Sequence, residues 1–92
     1  MYELHLSKAA KLVYDAADTR LVQRLHRCFE QLRVNPHRHP NIHPLTGRLA
    51  SRWRYRLGNT RIVYRIEENP RRVTVLLIIH RARAYRGRRR KS

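Results

Sequence analysis

Two neighbouring segments in the second half of the chain restrict the possible folds more than any other feature. In the segment Arg52–Leu57, arginine alternates strictly with Trp, Tyr and Leu, which is typical of a β-strand with one buried face. The segment Thr60–Ile66 is rich in β-branched and aromatic residues, which also favour strands. Between them, Gly58-Asn59 suits a two-residue type II′ turn, because its first position needs a positive φ. The sequence therefore predicts an antiparallel β-hairpin.

The short turn also predicts which residues of the hairpin lie opposite each other. Leu57 pairs with Thr60, and counting outwards Arg52 pairs with Arg65. Because side chains alternate between the faces of a strand, one face should be apolar and should pack on the core. Its predicted members are Trp53, Tyr55, Leu57, Ile62, Tyr64 and Ile66. The opposite side, called the arginine face below, consists of Arg52, Arg54, Arg56, Arg61 and Arg65.

The arginine face has an unusual charge balance. Like charges directly opposite each other destabilise a sheet, and an ordinary solvated face would relieve them with acidic neighbours. No acidic residue occurs between Glu30 and Glu67. The whole chain carries 22 Lys+Arg against 6 Asp+Glu, a formal net charge of +16. A surface of this kind attracts polyanions, so we favour a phosphate ligand, hence nucleic acid, over a merely solvated face.

The remaining segments predict an α+β fold with a single domain over residues 1–86. Tyr2–Leu6 alternates as a short N-terminal strand. A first helix should span Lys8 to Ala16 with Ser7 as its N-cap. A second should begin at Asp18 or Thr19 and end at Asn35-Pro36. The predicted apolar side of the first helix is Ala9, Leu12, Val13 and Ala16, and that of the second is Leu21, Val22, Leu25, Cys28, Phe29 and Leu32.

The C-terminal part predicts one more strand and a basic tail. Val73–Ile79 is apolar at every position but one, as expected of a central strand, and it is too short to cross a membrane. The two-helix hairpin should therefore pack on a C-terminal antiparallel sheet. Residues 87–92 are predicted to be a disordered basic tail. With no signal peptide visible after Met1, we expect a soluble, cytoplasmic protein.

Histidine and cysteine residues give weaker signals. The segment 37–47 contains His37, His39 and His43, but three prolines break any regular scaffold and no carboxylate or cysteine accompanies them. We therefore predict a solvated loop and no metal or other cofactor. Cys28 is the only cysteine, so no disulfide can form within the chain, and its place in the apolar pattern predicts a core residue.

The end of the last strand carries residues suited to phosphate chemistry. His80 can donate or accept a proton near neutral pH, and Arg81 can neutralise an oxyanion. Tyr85 can stack on a base, and Arg83 adds a further cation. The alternative is an ordinary histidine at a strand end and a tyrosine that anchors the tail. We expect the strand to deliver these groups to the neighbourhood of the arginine face.

Three pieces of the chain together resemble the RelE/ParE superfamily of type II toxin–antitoxin toxins. They are Leu45-Thr46-Gly47, the hairpin from Trp53 to Ile66, and His80-Arg81 followed four residues later by Tyr85. The likeness runs from Tyr2 to Tyr85 and includes the order of the elements. It is similar above all to the RelE-like branch, the mRNA interferases.

The resemblance implies a toxin held inactive by a cognate antitoxin in an oligomeric complex. It implies entry into the A site of the 70S ribosome and metal-independent cleavage of mRNA, in which the RNA 2′-hydroxyl attacks the adjacent phosphate. In this scheme Arg61 matches the arginine that holds the scissile phosphate, Arg81 the basic residue beside the leaving group, and Tyr85 the aromatic residue that orients the nucleotide. His80 is then the candidate for acid or base work. Substrate contacts are assigned to Arg48, Arg52, Arg54, Arg56, Arg65 and Arg83.

Departures from the family pattern leave alternatives open. Arg54 and Arg56 stand where some members carry lysine, and arginine stays protonated, so the two would act as electrostatic clamps. Thr46 replaces a common basic residue, for which Arg48 can compensate. The first alternative is a ParE-like inhibitor of DNA gyrase that catalyses nothing. The second is a non-catalytic RNA-binding module.

Overall fold

The computed structural model describes residues 1–80. Predictions for Arg81, Arg83, Tyr85 and the tail at 87–92 therefore lie outside the described residues. The helices and strands follow the predicted order with one addition, a strand in the histidine-rich segment. Their bounds are β1 Glu3–Leu6, α1 Lys8–Ala16, α2 Thr19–Val34, β2 Ile42–Pro44, β3 Arg52–Leu57, β4 Thr60–Glu68 and β5 Arg71–His80.

The strands form one mixed sheet in the order β1-β5-β4-β3-β2. β1 runs parallel to β5, and the other three pairings are antiparallel. The predicted α+β fold is confirmed, and β5 is central as its apolar sequence predicts. The N-terminal strand β1 joins the sheet beside the last strand, β5. Parallel neighbours need a long connection, and the connection between these two strands contains both helices.

Both helices begin where their caps predict. The Ser7 Oγ accepts a hydrogen bond from the Ala10 backbone N–H at 3.0 Å, and the Asp18 Oδ1 accepts one from the Leu21 N–H at 2.8 Å. Each bond satisfies a donor that the helix itself leaves without a partner. The choice left open between Asp18 and Thr19 is settled in favour of Asp18, and α2 ends before Asn35 as predicted.

The predicted core face of α1 is wrong at all of its positions but Val13. Ala9, Leu12 and Ala16 are exposed, Leu12 by 69%. The side that packs on the core consists of Ala10, which is fully buried, and the partly buried Val13, Tyr14 and Ala17. This second series has the same helical spacing as the predicted one and lies one position further along. Periodicity alone therefore could not distinguish the two, and the contact with β5 and α2 decides between them.

The histidine-rich segment is more ordered than a solvated loop. Its residues Ile42–Pro44 form β2, and Ile42 is buried with 7% exposure. The ring of His39 stacks on Tyr55 with centroids 5.2 Å apart. β2 is an edge strand, where a proline costs no interior ladder hydrogen bond, so Pro44 is compatible with pairing. The prediction of a loop at this position, which rested on the prolines, is therefore wrong.

The core lies between the helices and one face of the sheet. Leu25 and Leu32 of α2 are fully buried together with Tyr64, Val73 and Val75. The Tyr64 hydroxyl donates to the Pro36 carbonyl at 2.7 Å, and burial raises the pKa of Tyr64.

Cys28 belongs to this core, as predicted, and burial raises the pKa of its thiol to about 12. The thiol therefore stays protonated at neutral pH and is not a nucleophile. No helix within residues 1–80 is long and apolar enough to span a membrane.

The turn between β3 and β4 is held by α2. Gly58 has a φ of 59°, as the predicted turn requires, and the Arg24 Nη2 donates to the Leu57 carbonyl at 3.2 Å. A Cβ on Gly58 would overlap that same guanidinium nitrogen. The turn, β3 and α2 are thus joined by one arginine.

Replacing Gly58 by alanine should therefore lower the free energy of unfolding in urea by about 2 kcal/mol. Roughly 1–2 kcal/mol comes from the positive φ, and displacement of Arg24 adds to it. Gly47→Ala is the matched control, because Gly47 has a φ of 66° but no atom near its Cβ position. Equal losses in both variants would contradict a stabilising role for the Arg24 contact.

Candidate nucleic-acid interface

The register of the hairpin is confirmed at every predicted pair. Leu57 lies opposite Thr60, Arg56 opposite Arg61, and Arg52 opposite Arg65. Tyr55, Ile62 and the other apolar members of the hairpin pack with the helices on one side. The whole arginine face therefore lies on the other side of the sheet, away from both helices.

β5 adds an exposed apolar strip beside these arginines. Ile79 pairs with Arg61, and Leu77 pairs with Val63, so both side chains lie on the side of the arginine face. Leu77 is 45% exposed and Ile79 46%. The predicted central strand is thus apolar on both faces, and α1 and α2 cover only one of them. Cations and apolar side chains alternate in this way on surfaces that hold nucleotides by both phosphate and base.

Within residues 1–80, the carboxylates on this side of the sheet lie at one end of it and are already paired. The Glu67 Oε1 lies 3.7 Å from the Arg72 Nη1, and the Glu3 Oε1 lies 3.4 Å from the Arg72 Nε. A hydrogen bond from His5 and then the bond and charge of Arg72 lower the pKa of Glu3. Among the ion pairs between residues 1–80, none includes Arg52, Arg54, Arg56 or Arg65.

Arg54 lies in the middle of the arginine face and is partly buried. Its neighbour Val63 is only 8% exposed, although neither α1 nor α2 lies on that side of the sheet. The apolar stem of an arginine commonly covers such a residue. The Nε of Arg54 is buried without a hydrogen-bond partner in the described part of the chain. An unsatisfied charged donor of this kind favours an anionic acceptor.

His80 does not lie on the arginine face, contrary to the prediction. It pairs with Thr60, and its Nδ1 lies 2.7 Å from the Thr60 Oγ1 on the helix side of the sheet. The cause is a β-bulge in β5. Val63 pairs with Leu77 and Tyr64 with Val75, so Leu76 between them is the extra residue of the bulge. The extra residue reverses the alternation for the rest of β5. An apolar strand gives no sign of such a reversal in its sequence.

The other predicted residues are dispersed or lie beyond residue 80. Arg48 is exposed in a short 3-10 helix, Gly47–Leu49, between β2 and β3. Residues 1–80 contain no group of three His, Cys, Asp or Glu side chains that could hold a metal ion. The Nε2 of His37 lies 3.3 Å from Glu68, while His39 lies on Tyr55. His37 and His39 thus contact different neighbours.

His43 also belongs to this interface, although its sequence context predicted only a histidine of a solvated loop. His43 pairs with Arg54 across β2 and β3, and it is exposed on the side of the arginine face. The alternation of Ile42, His43 and Pro44 was a usable signal, because a buried residue beside an exposed polar one is typical of a strand. The surrounding prolines hid it.

The chain matches a family model described as the ParE toxin of type II toxin–antitoxin systems, parDE, over residues 5–85. It matches no curated protein sequence. Among solved structures, a YoeB/ParE toxin from Agrobacterium tumefaciens is 22% identical with a TM-score of 0.76, over 85% of this chain and 96% of that one.

Two toxin–antitoxin complexes give similar matches. The RelBE-type complex from Mycobacterium tuberculosis is 25% identical with a TM-score of 0.75, over 87% of this chain and 98% of that one. The archaeal RelE–RelB complex from Pyrococcus horikoshii is 18% identical with a TM-score of 0.74, over 89% and 97%. The predicted superfamily is therefore confirmed. The chain belongs to the ParE toxin family of type II toxin–antitoxin systems, within the RelE/ParE superfamily.

Proposed function

We propose that this toxin is an endoribonuclease that cleaves mRNA in the ribosomal A site. The observation that supports it is the arginine face, a row of guanidinium groups away from the core, on a side where the carboxylates of residues 1–80 lie at one end. Such a surface suits the closely spaced phosphates of RNA. The adjoining apolar strip of Leu77 and Ile79 offers a surface for bases.

The proposed reaction is a transfer of the phosphate to the neighbouring 2′-hydroxyl. It needs a proton acceptor for that hydroxyl, a proton for the leaving 5′-oxygen, and cations around the phosphate. Arg61 is proposed to hold the scissile phosphate, with Arg54 and Arg56 as clamps. Arg81 is proposed beside the leaving group and Tyr85 against a base. His80 could exchange a proton only through Nε2, because Thr60 occupies its Nδ1.

An antitoxin is the proposed regulatory partner. Several similar structures are complexes of a toxin with its antitoxin, among them the RelE–RelB and YoeB–YefM complexes. An antitoxin segment that neutralises the arginine face should be acidic, and its binding should weaken as salt increases. With the 70S ribosome and mRNA as the proposed targets, the proposed location of the protein is the cytoplasm.

The proposal is tested with purified protein and ribosomes programmed with a defined messenger. We expect new 3′ ends within codons at the A site, mapped by primer extension, and fewer of them with Arg61→Ala or Arg81→Ala. The same preparation should leave the supercoiling activity of DNA gyrase unchanged. Intact messenger at saturating protein would contradict the proposal, and an unchanged rate in Arg81→Ala would contradict the assigned site.

A gyrase inhibitor is the second candidate, favoured by two observations. The matching family model is named for ParE toxins, and His80 lies on the helix side of the sheet instead of among the arginines. An inhibitor needs no proton acceptor, so its surface has no need of a histidine. Loss of supercoiling with intact messenger would establish this reading over the ribonuclease.

A further inference from the structure

We infer that the Ser7 hydroxyl positions the apolar strip of the candidate interface, because it holds the β-bulge that turns Ile79 to the arginine face. The use of this strip for RNA bases rests on the proposed ribonuclease function. Ser7 lies between β1 and α1, on the side of β5 that is away from the hairpin. It acts through β5 and is therefore a positioning residue, not a catalytic one.

Ser7 makes three hydrogen bonds at the point where β5 becomes irregular. Its backbone N–H donates to the Val75 carbonyl at 2.8 Å, next to the last pair of β1 with β5. Its hydroxyl donates to the Leu76 carbonyl at 2.7 Å and accepts from the Ala10 N–H at 3.0 Å. A serine hydroxyl has one proton and two lone pairs, so the same oxygen can do both. The N-cap of α1 and the extra residue of the bulge are thus joined by one atom.

The apolar side chains of β5 do not by themselves require the bulge. Leu76–Ile79 is apolar at every position, so either alternation of its side chains is compatible with a buried face. A ladder without the bulge would turn both Leu77 and Ile79 towards the helices. In the observed ladder Ile78 is on the core side, 5% exposed, while Leu77 and Ile79 remain 45% and 46% exposed. Burial of apolar surface alone would therefore favour the regular ladder.

Two hydrogen bonds oppose that preference. Leu76 has no partner residue on β4, and its carbonyl obtains a donor from Ser7 instead. At the end of β5 the Nδ1 of His80 lies 2.7 Å from the Thr60 Oγ1, a contact that needs His80 on the helix side. Thr60 is fully buried, so this contact satisfies a buried hydroxyl. Of the two bonds, the one from Ser7 acts on the bulge residue itself.

The test separates the two hydrogen bonds of the Ser7 hydroxyl. At pH 7, Ser7→Asp keeps an N-cap acceptor for the Ala10 N–H but has no proton for the Leu76 carbonyl, whereas Ser7→Thr keeps both. In Ser7→Asp we expect the nuclear Overhauser contacts between Thr60 and His80 to be lost. The dissociation constant for a single-stranded oligoribonucleotide should rise about tenfold, as expected for loss of one base contact. Ser7→Thr should behave as the parent in both measurements.

Two further variants distinguish positioning from stabilisation. Asp18→Ala removes the N-cap of α2 and leaves β5 unchanged, so it should unfold at lower urea but keep the parent affinity for RNA. Deletion of Leu76 removes the extra residue and makes the ladder regular, with Ile79 and His80 on their observed sides. In that background Ser7→Asp should no longer change RNA affinity. A purely stabilising role of Ser7 would not give this rescue.

The outcomes for Ser7 and for the ribonuclease are separable. Thr60–His80 contacts that persist in Ser7→Asp would overturn the inference, and so would an affinity loss that deletion of Leu76 fails to relieve. Loss of the contacts in Ser7→Thr as well would also overturn it, because that variant keeps the proton donor. A parent that leaves messenger intact, while Ser7→Asp loses the contacts and the deletion restores them, would contradict the ribonuclease alone and support the role of Ser7.

Discussion

Replacing Arg54 and Arg56 together by glutamine should lower cleavage of A-site messenger by at least about 100-fold. Both lie on the arginine face, and neither has an ion pair among residues 1–80 that would compensate for its charge. A hydrogen bond to a charged group contributes about 1.5–3 kcal/mol, so loss of two such phosphate contacts corresponds to two or more powers of ten. Initial cleavage rates at subsaturating toxin report the change directly.

The matched control removes the same charge from a different surface. Arg20 and Arg27 are exposed on α2, on the far side of the core from the arginine face. The double variant Arg20→Gln/Arg27→Gln has the same net charge as the test variant and should cut at nearly the parent rate. The slope of RNA affinity against salt should fall by about 2 in the test variant only. Equal losses in the two double variants would mean that net charge, and not the arginine face, binds the RNA.

Leu25→Ala should lower the free energy of unfolding by about 3 kcal/mol, measured by urea denaturation. Leu25 is fully buried in the middle of α2, in the core cluster with Tyr64 and Val75. Truncation loses the burial of the removed atoms and leaves a cavity that the sheet cannot fill, a combination that costs 2–5 kcal/mol in other cores. A domain of this size is stable by roughly 5–15 kcal/mol, so the change would be large.

Leu12→Ala is the control for that prediction and a test of the observed orientation of α1. Leu12 is 69% exposed, so its truncation should change the free energy of unfolding by less than about 0.5 kcal/mol. The apolar pattern of the sequence predicts Leu12 in the core, and hence a loss comparable to that of Leu25→Ala. A large loss in Leu12→Ala would therefore contradict the exposed position of that side chain.

Local signals in the sequence sufficed for the elements whose geometry is set by near neighbours. The caps Ser7 and Asp18 determine where the helices begin, because their side chains bond to N–H groups three residues away. The turn at Gly58 determines the hairpin register, because a two-residue turn allows a single pairing of the strands that it joins. The arginine face follows from that register, so it too could be predicted from the sequence.

Long-range packing decided what these signals leave open. α1 carries two apolar series of equal spacing, and only contact with the sheet selects Ala10 over Leu12. The bulge in β5 leaves no mark in an apolar strand, yet it turns His80 to the helix side and Ile79 to the arginine face. The pairing of β2 with β3, which no short turn dictates, brings His43 beside Arg54. The chain's own alternation thus determined the arginine face, whereas pairing between strands determined which titratable groups lie beside it.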